Sequence, residues 1–425
     1  MSCAFEFSPQ KLIYGGAALG YHDGQTVMVP LALPGERVKV QPIRKAKGVV
    51  RARLLDVLDA APERVTAPCP YFGRCGGCQY QHLPPELQAT TKREILREIL
   101  RRLGGIDWHS EIIIHSAPPT NYRNQVQLKV RCRASGEVKL GFFEAGSHDF
   151  CPIENCLLLS PRLNQLLGRL LESTSFAQIS GCQEIELLAD DRDEHVAVTL
   201  RGQFAIPATE SLAKRLLREL PEVRRVAIEH GRAFRVLGNP HFEYAIDGFR
   251  YRISPGSFFQ VSRFLLKELL SAVTNDVRGN LVLDLYAGVG LFTLPLAKRF
   301  DQAVGVEVNE SSTADLRANA DAHGFRNIRA ICGTSFDFLR RFAQVEPDLL
   351  ILDPPRGGVD LGSLRLLAGL HPRQIRYVSC SPPTLARDLR FLVARGYRLN
   401  SVELFDFFPQ TYHIETLAKL TLHTG

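Results

Sequence analysis

The chain has 425 residues, of which 45% are hydrophobic and 23% charged, and its net charge is +7. This composition predicts a globular protein of roughly two or three domains, each able to bury a core. No apolar run is long enough to span a membrane, and the N-terminus, MSCAFEFSPQ, lacks the basic start and apolar core of a signal peptide. We therefore expect a cytoplasmic protein, whose mildly basic charge is compatible with binding to nucleic acid but does not require it.

Residues 1 to about 65 have the pattern of a small β domain. Short β-rich runs at 25–30, 37–43 and 49–57 alternate with Gly, Pro and Asp residues that favour turns. Strands this short are usually closed into a barrel. Basic residues cluster on the later part of the segment: Arg44, Lys45, Lys47, Arg51 and Arg53. They form either a solvated charged face or a patch that follows a phosphate backbone.

The next stretch, APCPYFGRCGGCQYQH, is rich in cysteine. Three of the ten cysteines, Cys69, Cys75 and Cys78, lie within ten residues of one another. Cysteines in a reducing compartment are not disulfides by default, so this spacing indicates a metal site. The other cysteines could simply be packed in the core.

An amphipathic helix follows in PELQATTKREILREILRRLGG. Thr91 and Glu94 fit a capping box at its start, and Gly104 and Gly105 fit its end. The sequence leaves open whether this segment, at about 86–105, packs on the C-terminal part of the chain.

The period of the apolar pattern changes along the rest of the chain. From about 109 to 253, strand-like runs such as EIELLAD and RVAIEH alternate with helices around 161–171 and 210–220, which indicates an antiparallel-rich α+β domain. From about 256, continuous apolar runs alternate with helical stretches: LVLDLY, AVGVEV, LLILD and IRYVSC. Such runs are typical of parallel strands buried on both faces, so we predict a doubly wound α/β domain.

The first of these runs ends in a glycine-containing turn. LVLDLYAGVGLFTLPLAKRF carries Asp284, Gly288 and Gly290 at the carboxyl end of a strand, where open α/β sheets bind ligands. Glu307 ends the next run, twenty-three positions after Asp284, and is either a ligand of ribose hydroxyls or a surface carboxylate. Dinucleotide enzymes and S-adenosylmethionine enzymes share this plan. Because the loop is not G-x-G-x-x-G, the second group is favoured.

Two later runs end in the same way. DLLILDPPRGG carries Asp353 at a strand end, where it could bind a ligand or cap the following turn. YVSCSPPTLARD repeats the arrangement, so Cys380 should project at the same edge of the sheet. DFFPQTYHIETLAKLTL adds His413 and Glu415. A cysteine nucleophile with a separate carboxylate is compatible with covalent catalysis, and an inert buried cysteine is the alternative.

The motifs, taken in order, resemble those of the RNA (uracil-5-)-methyltransferases, which use S-adenosylmethionine and include iron–sulfur enzymes that act on 23S ribosomal RNA. GGAALGYHDGQTVMVPLALPGERVKV is similar to the family's TRAM domain, an OB-like RNA-binding barrel, and CPYFGRCGGCQYQH is similar to its cluster motif. GSFFQVS, LDLYAGVGLFTLPLA, ILDPPRGG, VSCSPPTLARD and FPQTYHIE follow in family order, so the resemblance covers nearly the whole chain.

The resemblance implies a multidomain α/β protein with three parts. Residues 1–65 would form the OB-like TRAM barrel, and residues 66–255 a central α+β domain with the cysteine cluster. Residues 256–425 would form a Rossmann-like methyltransferase domain that binds S-adenosylmethionine. We expect a monomer.

The resemblance also assigns roles to individual residues. Those implied to line the cofactor site are Gln260, Tyr286, Glu307 and Asp353. Asp353 would also reach the uracil, Cys380 would be the nucleophile, and Glu415 would remove the proton from carbon 5, whereas His413 would be structural. The implied reaction is methylation of carbon 5 of a specific uridine in RNA, with 23S rRNA preferred. Alternatives are a T-loop uridine of tRNA, or a non-catalytic RNA-binding protein on the same scaffold.

A fourth cysteine is needed to complete the cluster motif. In the family this ligand lies five residues before a proline that opens a helix, and Cys156 before Pro161 satisfies that rule where Cys151 does not. The resemblance thus implies a 4Fe-4S cluster on four thiolates, with zinc as the weaker alternative. Those thiolates would be Cys69, Cys75, Cys78 and Cys156. The spacing does not match the C-x3-C-x2-C of radical S-adenosylmethionine enzymes.

Four positions depart from the family pattern. Ser262 and Ser381 stand where asparagine is usual, Gln410 where histidine is frequent, and Leu291 where some members have asparagine. Serine is shorter than asparagine and cannot make the two-sided hydrogen bonds of an amide. These changes bear on target and turnover but leave the implied nucleophile and base unchanged.

Overall fold

The computed structural model describes residues 3–132, 137–173, 181–203, 205–231, 233–342 and 346–423. Residues 1, 2, 424 and 425, which belong to the first and last predicted domains, therefore lie outside the described residues. No helix within these ranges is long and apolar enough to cross a membrane.

The N-terminal part forms a six-stranded sheet. Its strands are β1 (Phe5–Phe7), β2 (Lys11–Leu12), β3 (Ala17–His22), β4 (Gln25–Pro30), β5 (Arg37–Ala46) and β6 (Val49–Asp59). They lie in the order β1-β5-β6-β4-β3-β2. The three strands predicted here are confirmed as β4, β5 and β6, and β5 alternates buried valines with exposed charges, as expected of a strand with one solvated face. Closure into an OB-like barrel stays a prediction.

The middle of the chain contains a second sheet, together with helices and with three strands that lie outside that sheet. Its elements are α1 (Pro85–Gly104), β7 (Ile112–Ser116), β8 (Gln125–Cys132), β9 (Val138–Phe143), β10 (Phe150–Pro152), α2 (Pro161–Glu172), β11 (Cys182–Ala189), β12 (Val196–Gly202), α3 (Ile206–Glu219), β13 (Val223–His230), β14 (Ala233–Gly238), β15 (Glu243–Ile246) and β16 (Phe249–Arg252). Seven strands pair in the order β10-β9-β8-β11-β12-β13-β14, and only the β12–β13 pair is parallel. The two predicted helices are confirmed as α2 and α3.

The start of α1 differs from the prediction. The helix begins at Pro85, so Thr91 and Glu94 lie inside it and the predicted capping box is wrong. Proline fixes a helical φ at the first position and needs no amide partner there, so it starts the helix earlier. The predicted end is confirmed, because Gly105 caps the helix in the left-handed conformation with φ 64°.

The C-terminal part forms an eight-stranded sheet with helices between its strands. Its elements are α4 (Leu266–Thr274), β17 (Gly279–Leu285), α5 (Thr293–Ala297), β18 (Phe300–Glu307), α6 (Glu310–Ala322), β19 (Ile328–Cys332), α7 (Ser335–Arg341), β20 (Leu349–Leu352), α8 (Leu361–Gly369), β21 (Gln374–Ser379), α9 (Pro382–Val393), β22 (Tyr397–Asp406) and β23 (Glu415–Leu422). The order is β19-β18-β17-β20-β21-β23-β22-β7. The first five strands are parallel, as predicted from the apolar runs, and β23 is antiparallel to both neighbours.

Two elements of the predicted central domain pack with this C-terminal sheet. Strand β7 pairs in parallel with β22 at the sheet edge. Helix α1 buries Leu96 and Leu100 in the same core cluster as Leu385 and Leu389 of α9. The apolar stripe of α1 needs a partner, and α9 offers a complementary face. The short run of β7 carries no sign of which sheet it joins, so the sequence could not assign it, and the domain limits stay a prediction.

Candidate active site

Four predicted site residues lie at one edge of the eight-stranded sheet. Asp284, Glu307, Asp353 and Cys380 lie at or next to the carboxyl ends of β17, β18, β20 and β21. These strands are parallel neighbours, so their ends meet on the same side. Strand β18 lies on one side of β17 and β20 on the other, which opens a crevice at the carboxyl edge. This crevice is the candidate ligand site.

Glu415 lies at the same edge of the sheet, because it is the first residue of β23, which runs antiparallel to β21. Strands β21 and β23 are antiparallel, and Ser379 is paired with Thr416. Continuing that register by one residue brings Cys380 opposite Glu415. Directly opposed residues of an antiparallel pair have Cα atoms roughly 4.5–5.5 Å apart. A thiol and a carboxyl group therefore face the same crevice side by side.

The turn after β17 holds Glu307 through its backbone. The Gly288 amide donates a 3.0 Å hydrogen bond to Glu307 Oε2, and the Asn309 amide donates a 2.7 Å bond to Oε1. Gly288 has φ 53°, and no described atom lies within 4 Å of where a Cβ would be, so the backbone there is open to a ligand. The Glu307 carboxylate is thus fixed in orientation and keeps lone pairs for further donors.

A cavity of about 190 Å³ lies beside this turn. Its walls are formed by Tyr286, Val306, Val308, Gly333, Thr334, Ser335, Phe336 and Asp360. Val308 and Phe336 expose 64% and 37% of their surfaces, which suits a flat apolar ring. Sequence reasoning singled out Tyr286 but missed these two side chains. The available signal was position, because Val308 directly follows Glu307 at the strand end.

Asp284 anchors the turn from inside the sheet. Its Oδ2 accepts a 2.6 Å hydrogen bond from Thr293 Oγ1 at the start of α5. Burial raises the pKa of this carboxyl group to about 7. Its Oδ1 is buried without a hydrogen-bond partner in the part of the chain that the structure describes. Asp284 therefore ties the glycine-containing turn to the helix that follows it.

Gln260 and Asp353 face each other in the crevice. Gln260 Nε2 lies 3.5 Å from Asp353 Oδ2. Burial, with a contribution from the nearby Asp284 charge, raises the pKa of Asp353 to about 7. The segment before Gln260 is held in place because Asp315 accepts a 2.7 Å hydrogen bond from Ser257 Oγ. Both polar groups are therefore positioned before any ligand binds.

The thiol of Cys380 is surrounded by acidic groups. Burial, together with the charges of Glu415 and Asp353, raises the pKa of this thiol to about 11. The charge of Arg356 opposes the rise. Helix α9 begins two residues later, and a helix N-terminus favours a thiolate. The free protein thus holds Cys380 mainly as a thiol at neutral pH. Additional positive charge in the crevice would favour the thiolate.

Glu415 has a similar environment. Its side chain is buried, and burial together with Asp353 raises its pKa well above the usual value, opposed by Arg356. A carboxylate with a raised pKa is a stronger base than one in water. Cys380, Asp353 and Glu415 thus share a crevice in which a cationic ligand would relieve their mutual repulsion.

Arg356 is a site residue that sequence reasoning missed. Its Nη2 lies 3.3 Å from His413 Nε2. Burial and the charge of Arg356 lower the pKa of His413 to about 3, so this imidazole is neutral. The loop that carries Arg356 is fixed by the buried Asp388, which accepts hydrogen bonds from the Val359 amide at 3.0 Å and the Tyr377 hydroxyl at 2.7 Å. The signal was available, because Arg356 directly follows the Asp-Pro-Pro motif.

Tyr14 brings the N-terminal sheet to the same crevice. Its hydroxyl lies 3.5 Å from the carbonyl oxygen of Cys380, and its ring packs edge-on against Tyr412, with centroids 5.4 Å apart. Burial and the nearby Tyr412 and Cys380 raise the pKa of Tyr14 to about 12, so the hydroxyl stays a neutral donor. Tyr14 precedes the motifs at the strand ends by most of the chain, and no local pattern in the sequence marks it.

The two serines that depart from the family pattern are both buried. The Ser381 amide donates a 3.2 Å hydrogen bond to Ser379 Oγ, which stabilises the turn around Cys380. Ser262 Oγ has no hydrogen-bond partner among the described residues. The shorter side chain at 381 therefore leaves the turn intact. The structure gives no compensating contact for the one at 262.

Four of the cysteines line a second cavity, of about 120 Å³, in the middle part of the chain. They are Cys69, Cys75, Cys78 and Cys156. Cys151 lies in β10 close to Cys75 and Cys69 but does not line the cavity. Most other lining side chains are apolar; Tyr71, Gln81 and Asn155 are polar, and Arg123 is charged. Burial raises the pKa of the Cys78 and Cys156 thiols, and the charge of Arg123 opposes that rise.

The arrangement of these cysteines bears on what they could hold. Among the described residues, no three His, Cys, Asp or Glu side chains are grouped closely enough for a single metal ion. One tetrahedral zinc would need sulfur atoms roughly 4 Å apart, given Zn–S distances of about 2.3 Å. Four thiols that line one cavity of about 120 Å³ are a donor set of the kind that zinc and iron–sulfur groups both take. The donor set of four thiols with a buried cation nearby also fits such a group.

Comparison with known proteins shows similarity to RNA methyltransferases. Residues 241–422 match the family model described as tRNA (Uracil-5-)-methyltransferase. The chain is 35% identical over 424 residues to an uncharacterised RNA methyltransferase of Aquifex aeolicus, with 97% of each chain covered. It is 34% identical over 441 residues to the 23S rRNA (uracil(1939)-C(5))-methyltransferase RlmD of Alkalilimnicola ehrlichii, covering 97% of this chain and 96% of the relative.

A solved structure has the same overall fold. The crystal structure of Pyrococcus abyssi tRNA (uracil-54, C5)-methyltransferase, in complex with S-adenosyl-L-homocysteine, matches with a TM-score of 0.76. The match covers 98% of this chain and 100% of the other, at 24% sequence identity. The likeness at this identity concerns the fold.

Proposed function

The chain belongs to the RNA (uracil-5-)-methyltransferase family of S-adenosylmethionine-dependent enzymes, and we propose that it methylates carbon 5 of a specific uridine in 23S rRNA through a covalent Cys380 adduct. The observation that carries the covalent mechanism is the pairing register, which sets Cys380 beside Glu415 at the edge of the candidate ligand crevice. The relatives named as 23S rRNA methyltransferases support the choice of substrate.

The proposed chemistry starts at carbon 6 of the uracil. The Cys380 thiolate adds to carbon 6, and the electron pair of the 5,6 double bond moves onto the ring as an enolate, which makes carbon 5 nucleophilic. When bound, S-adenosylmethionine would supply the methyl group from its sulfonium, with cleavage of the methyl–sulfur bond and S-adenosylhomocysteine as the leaving group. Once carbon 5 carries the methyl group, Glu415 removes its proton. The electrons of that C–H bond restore the double bond, the carbon–sulfur bond breaks, and Cys380 leaves as a thiolate.

The charges of the crevice support this scheme. The pKa of the Cys380 thiol is raised to about 11, so the free enzyme protects the cysteine as a thiol. A cationic ligand beside Asp353 and Glu415 lowers the thiol pKa, as Arg356 already does in part. The nucleophile is therefore formed mainly when the site is filled.

The crevice geometry supports a proposal for the residues that bind the cofactor. We propose that Glu307 accepts hydrogen bonds from the ribose hydroxyls and that Tyr286, Val308 and Phe336 enclose the adenine ring. Gln260 and Asp353 would lie at the reacting end, between the methyl donor and the uracil. The target uridine must leave its stack to reach Cys380.

The N-terminal sheet is proposed to bind the RNA backbone. Its basic residues lie on the exposed β5–β6 hairpin: Arg44, Lys45, Lys47, Arg51 and Arg53. A clustered, exposed set of this kind binds phosphates without reading sequence.

The four-cysteine cavity is proposed to hold a 4Fe-4S cluster through Cys69, Cys75, Cys78 and Cys156. Its role would be structural, because no catalytic group of the scheme above requires electron transfer. Anaerobic purification followed by iron, sulfide and zinc analysis tests this. We expect a brown protein with iron and sulfide, and a colourless protein containing zinc would contradict it.

Two measurements test the proposed function. Mapping 5-methyluridine in 23S rRNA and tRNA from a deletion strain should show loss of one rRNA site, and loss at the tRNA T-loop alone would favour the tRNA alternative. Incubation with RNA containing 5-fluorouridine should trap a covalent complex, since fluorine at carbon 5 cannot be removed as a proton. Absence of both results would indicate a non-catalytic RNA-binding protein.

A further inference from the structure

The loop between β22 and β23 delivers the proposed base to the crevice. It spans residues 407–414, and Glu415 follows as the first residue of β23. The loop also carries His413, which contacts Arg356. The position of Glu415 therefore depends on what holds this loop, and most of its partners come from one distant segment.

The cysteine-rich segment binds the loop through its backbone. The amides of Gln79 and Tyr80 both donate to the Gln410 carbonyl oxygen, at 2.9 and 3.0 Å. The side-chain oxygen of Gln79 lies 3.4 Å from the Tyr412 amide. Cys78 in the wall of the four-cysteine cavity is followed directly by Gln79, which contacts the loop that precedes Glu415.

A reciprocal pair of amides reinforces this contact. Gln88 Nε2 donates to Gln410 Oε1 at 2.9 Å, and the Gln410 amide donates to Gln88 Oε1 at 2.7 Å. Gln88 Nε2 also reaches the carbonyl oxygens of Tyr80 and Leu83, at 3.1 and 2.8 Å. Gln410 has a positive φ of 69°, a conformation that is unfavourable for glutamine and needs such support.

Two further contacts hold the start of the loop. The Tyr122 hydroxyl donates to the Pro409 carbonyl oxygen at 3.0 Å, and Lys92 Nζ donates to the Phe408 carbonyl oxygen at 2.9 Å. Lys92 is fully buried and also pairs with Asp406 at 2.7 Å. These residues flank the cysteine segment on α1 and before β8.

Arg123 links the cavity and the loop directly. It lines the four-cysteine cavity, and its guanidinium carbon lies 5.9 Å from the centre of the Phe408 ring. The cavity and the base loop thus share both a backbone connection, through Gln79, and a side-chain connection, through Arg123.

We infer that residues 79–88 are a positioning scaffold for the base loop, so that the state of the four-cysteine cavity is transmitted to Glu415. The inference rests on the proposed function for its catalytic consequence, but not for the physical coupling. Gln79, Gln88 and Gln410 are positioning residues, since they act through the loop and touch no reacting atom. The glutamine at 410, which departs from the family pattern, is explained by its amide partner Gln88.

The inference makes a specific kinetic prediction. Glu415 acts after methyl transfer, so a displaced loop slows proton removal while leaving thiolate addition and methylation possible. The methylated covalent enzyme–RNA complex should then accumulate with ordinary uridine RNA. A general loss of folding would not produce this complex, because it would prevent the earlier steps as well.

The first experiment compares Gln88→Ala and Gln79→Ala with Gln165→Ala, a control at an exposed glutamine on α2. We expect kcat to fall roughly ten- to a hundredfold in Gln88→Ala and by a smaller factor in Gln79→Ala. In both variants KM for RNA should be unchanged and a covalent complex should be visible on denaturing gels. Gln165→Ala should match the wild type. Gln79→Ala keeps the backbone hydrogen bonds to Gln410 and removes a side chain that is only partly buried. It therefore tests the inference even if Gln88→Ala does not fold. Unchanged kcat, or reduced kcat without the complex, would overturn the inference.

The second experiment does not depend on activity. Hydrogen exchange of the loop amides is compared between the wild type, Gln88→Ala and Cys78→Ala. We expect faster exchange at the Gln410 and Tyr412 amides in both variants, because each loses or loosens its acceptor. Unchanged exchange in Cys78→Ala would refute transmission from the cavity. Altered exchange in a protein that makes no 5-methyluridine would refute the proposed function and leave the coupling intact.

Discussion

The molecule uses cysteine in two contrasting environments. Cys380 lies at the end of a parallel strand beside Glu415, Asp353 and Arg356, in an open crevice. The cysteines of the second cavity line a mostly apolar space together with one charged side chain, that of Arg123. The side chain is the same, so the chemistry follows from the neighbours. In the proposed function, one thiol would form a reversible bond to the substrate and the other four would together coordinate a metal cluster.

The contrast also concerns how each site depends on the fold. The crevice is built from strand ends of one sheet, whose register alone brings Cys380 and Glu415 together. The four cysteines of the second cavity come from two separate parts of the chain, residues 69–78 and residue 156, which meet only in the folded chain. The first site should therefore tolerate loss of a side chain structurally, whereas the second should not.

The largest expected effect is from Cys380→Ala. Without the thiol no adduct forms at carbon 6, so methylation should fall below detection while S-adenosylmethionine binding and the melting temperature stay near wild type. Incorporation of a labelled methyl group and equilibrium cofactor binding measure the two properties. Cys3→Ala, at an exposed cysteine, is the matched control. Substantial methylation by Cys380→Ala would remove the nucleophile from the scheme.

The next effect in size is from Glu415→Gln. The amide keeps the shape of the side chain but cannot accept the proton from carbon 5, so turnover should fall roughly 10²- to 10⁴-fold. One methyl group per enzyme should still be transferred, and the product should remain covalently bound. Single-turnover assays with labelled cofactor distinguish this from loss of binding. Release of free methylated RNA at the wild-type rate would exclude Glu415 as the base.

The sequence allowed the crevice to be predicted because strand ends carry their own signal. A buried apolar run marks each parallel strand, and the residue after it must lie at the carboxyl edge, so the positions of Glu307, Asp353 and Cys380 followed from topology. The position of Glu415 could not be predicted in the same way, because it depends on β23 pairing antiparallel with β21. That register is a tertiary property, so the sequence offered Glu415 only as a separate carboxylate, and the family resemblance implied its role as the base.

Other features could not be predicted from the sequence. Tyr14 enters the crevice from a different sheet, and no periodicity relates it to Cys380. Strand β7 joins the C-terminal sheet because β22 would otherwise be its edge strand, which a local pattern does not reveal. The choice of Cys156 over Cys151 came from the resemblance, and the two differ by only five positions.

A third prediction compares these two cysteines. Cys156→Ala removes a cavity-lining thiol and should abolish stable cluster binding, whereas Cys151→Ala should retain it. Iron content per chain and the visible absorption spectrum after anaerobic purification measure the difference. Cys156→Ala should also lower the melting temperature, because metal binding stabilises the folded state. Equal iron content in the two variants would contradict the assigned ligand set.

A fourth prediction concerns the pH dependence of Cys380. Its thiol pKa is raised to about 11, so only a small fraction is thiolate at pH 8 and the fraction rises as pH increases. Alkylation of the Cys380 peptide by iodoacetamide, followed by mass spectrometry, should increase about tenfold per pH unit up to pH ~10, whereas a free thiol levels off above roughly 8.5. S-adenosylmethionine should accelerate alkylation at pH 8 more than S-adenosylhomocysteine does, because only the first carries a sulfonium charge. Equal effects of the two would argue against electrostatic activation.

The smallest effect is expected at Tyr14, where the two sheets meet. Tyr14→Phe removes the hydroxyl beside the Cys380 carbonyl but keeps the ring against Tyr412, so kcat should fall only a fewfold, in line with loss of a hydrogen bond worth about 1 kcal/mol. Tyr14→Ala removes both contacts and should lower kcat further and raise KM for RNA, since the wall of the crevice is lost. Tyr21→Phe, at an exposed tyrosine of the same sheet, controls for general effects on that sheet. If Tyr14→Ala changes KM alone, the N-terminal sheet acts only in RNA binding. A fall in kcat shows that this sheet also completes the catalytic site, which the chain would then build from both of its ends.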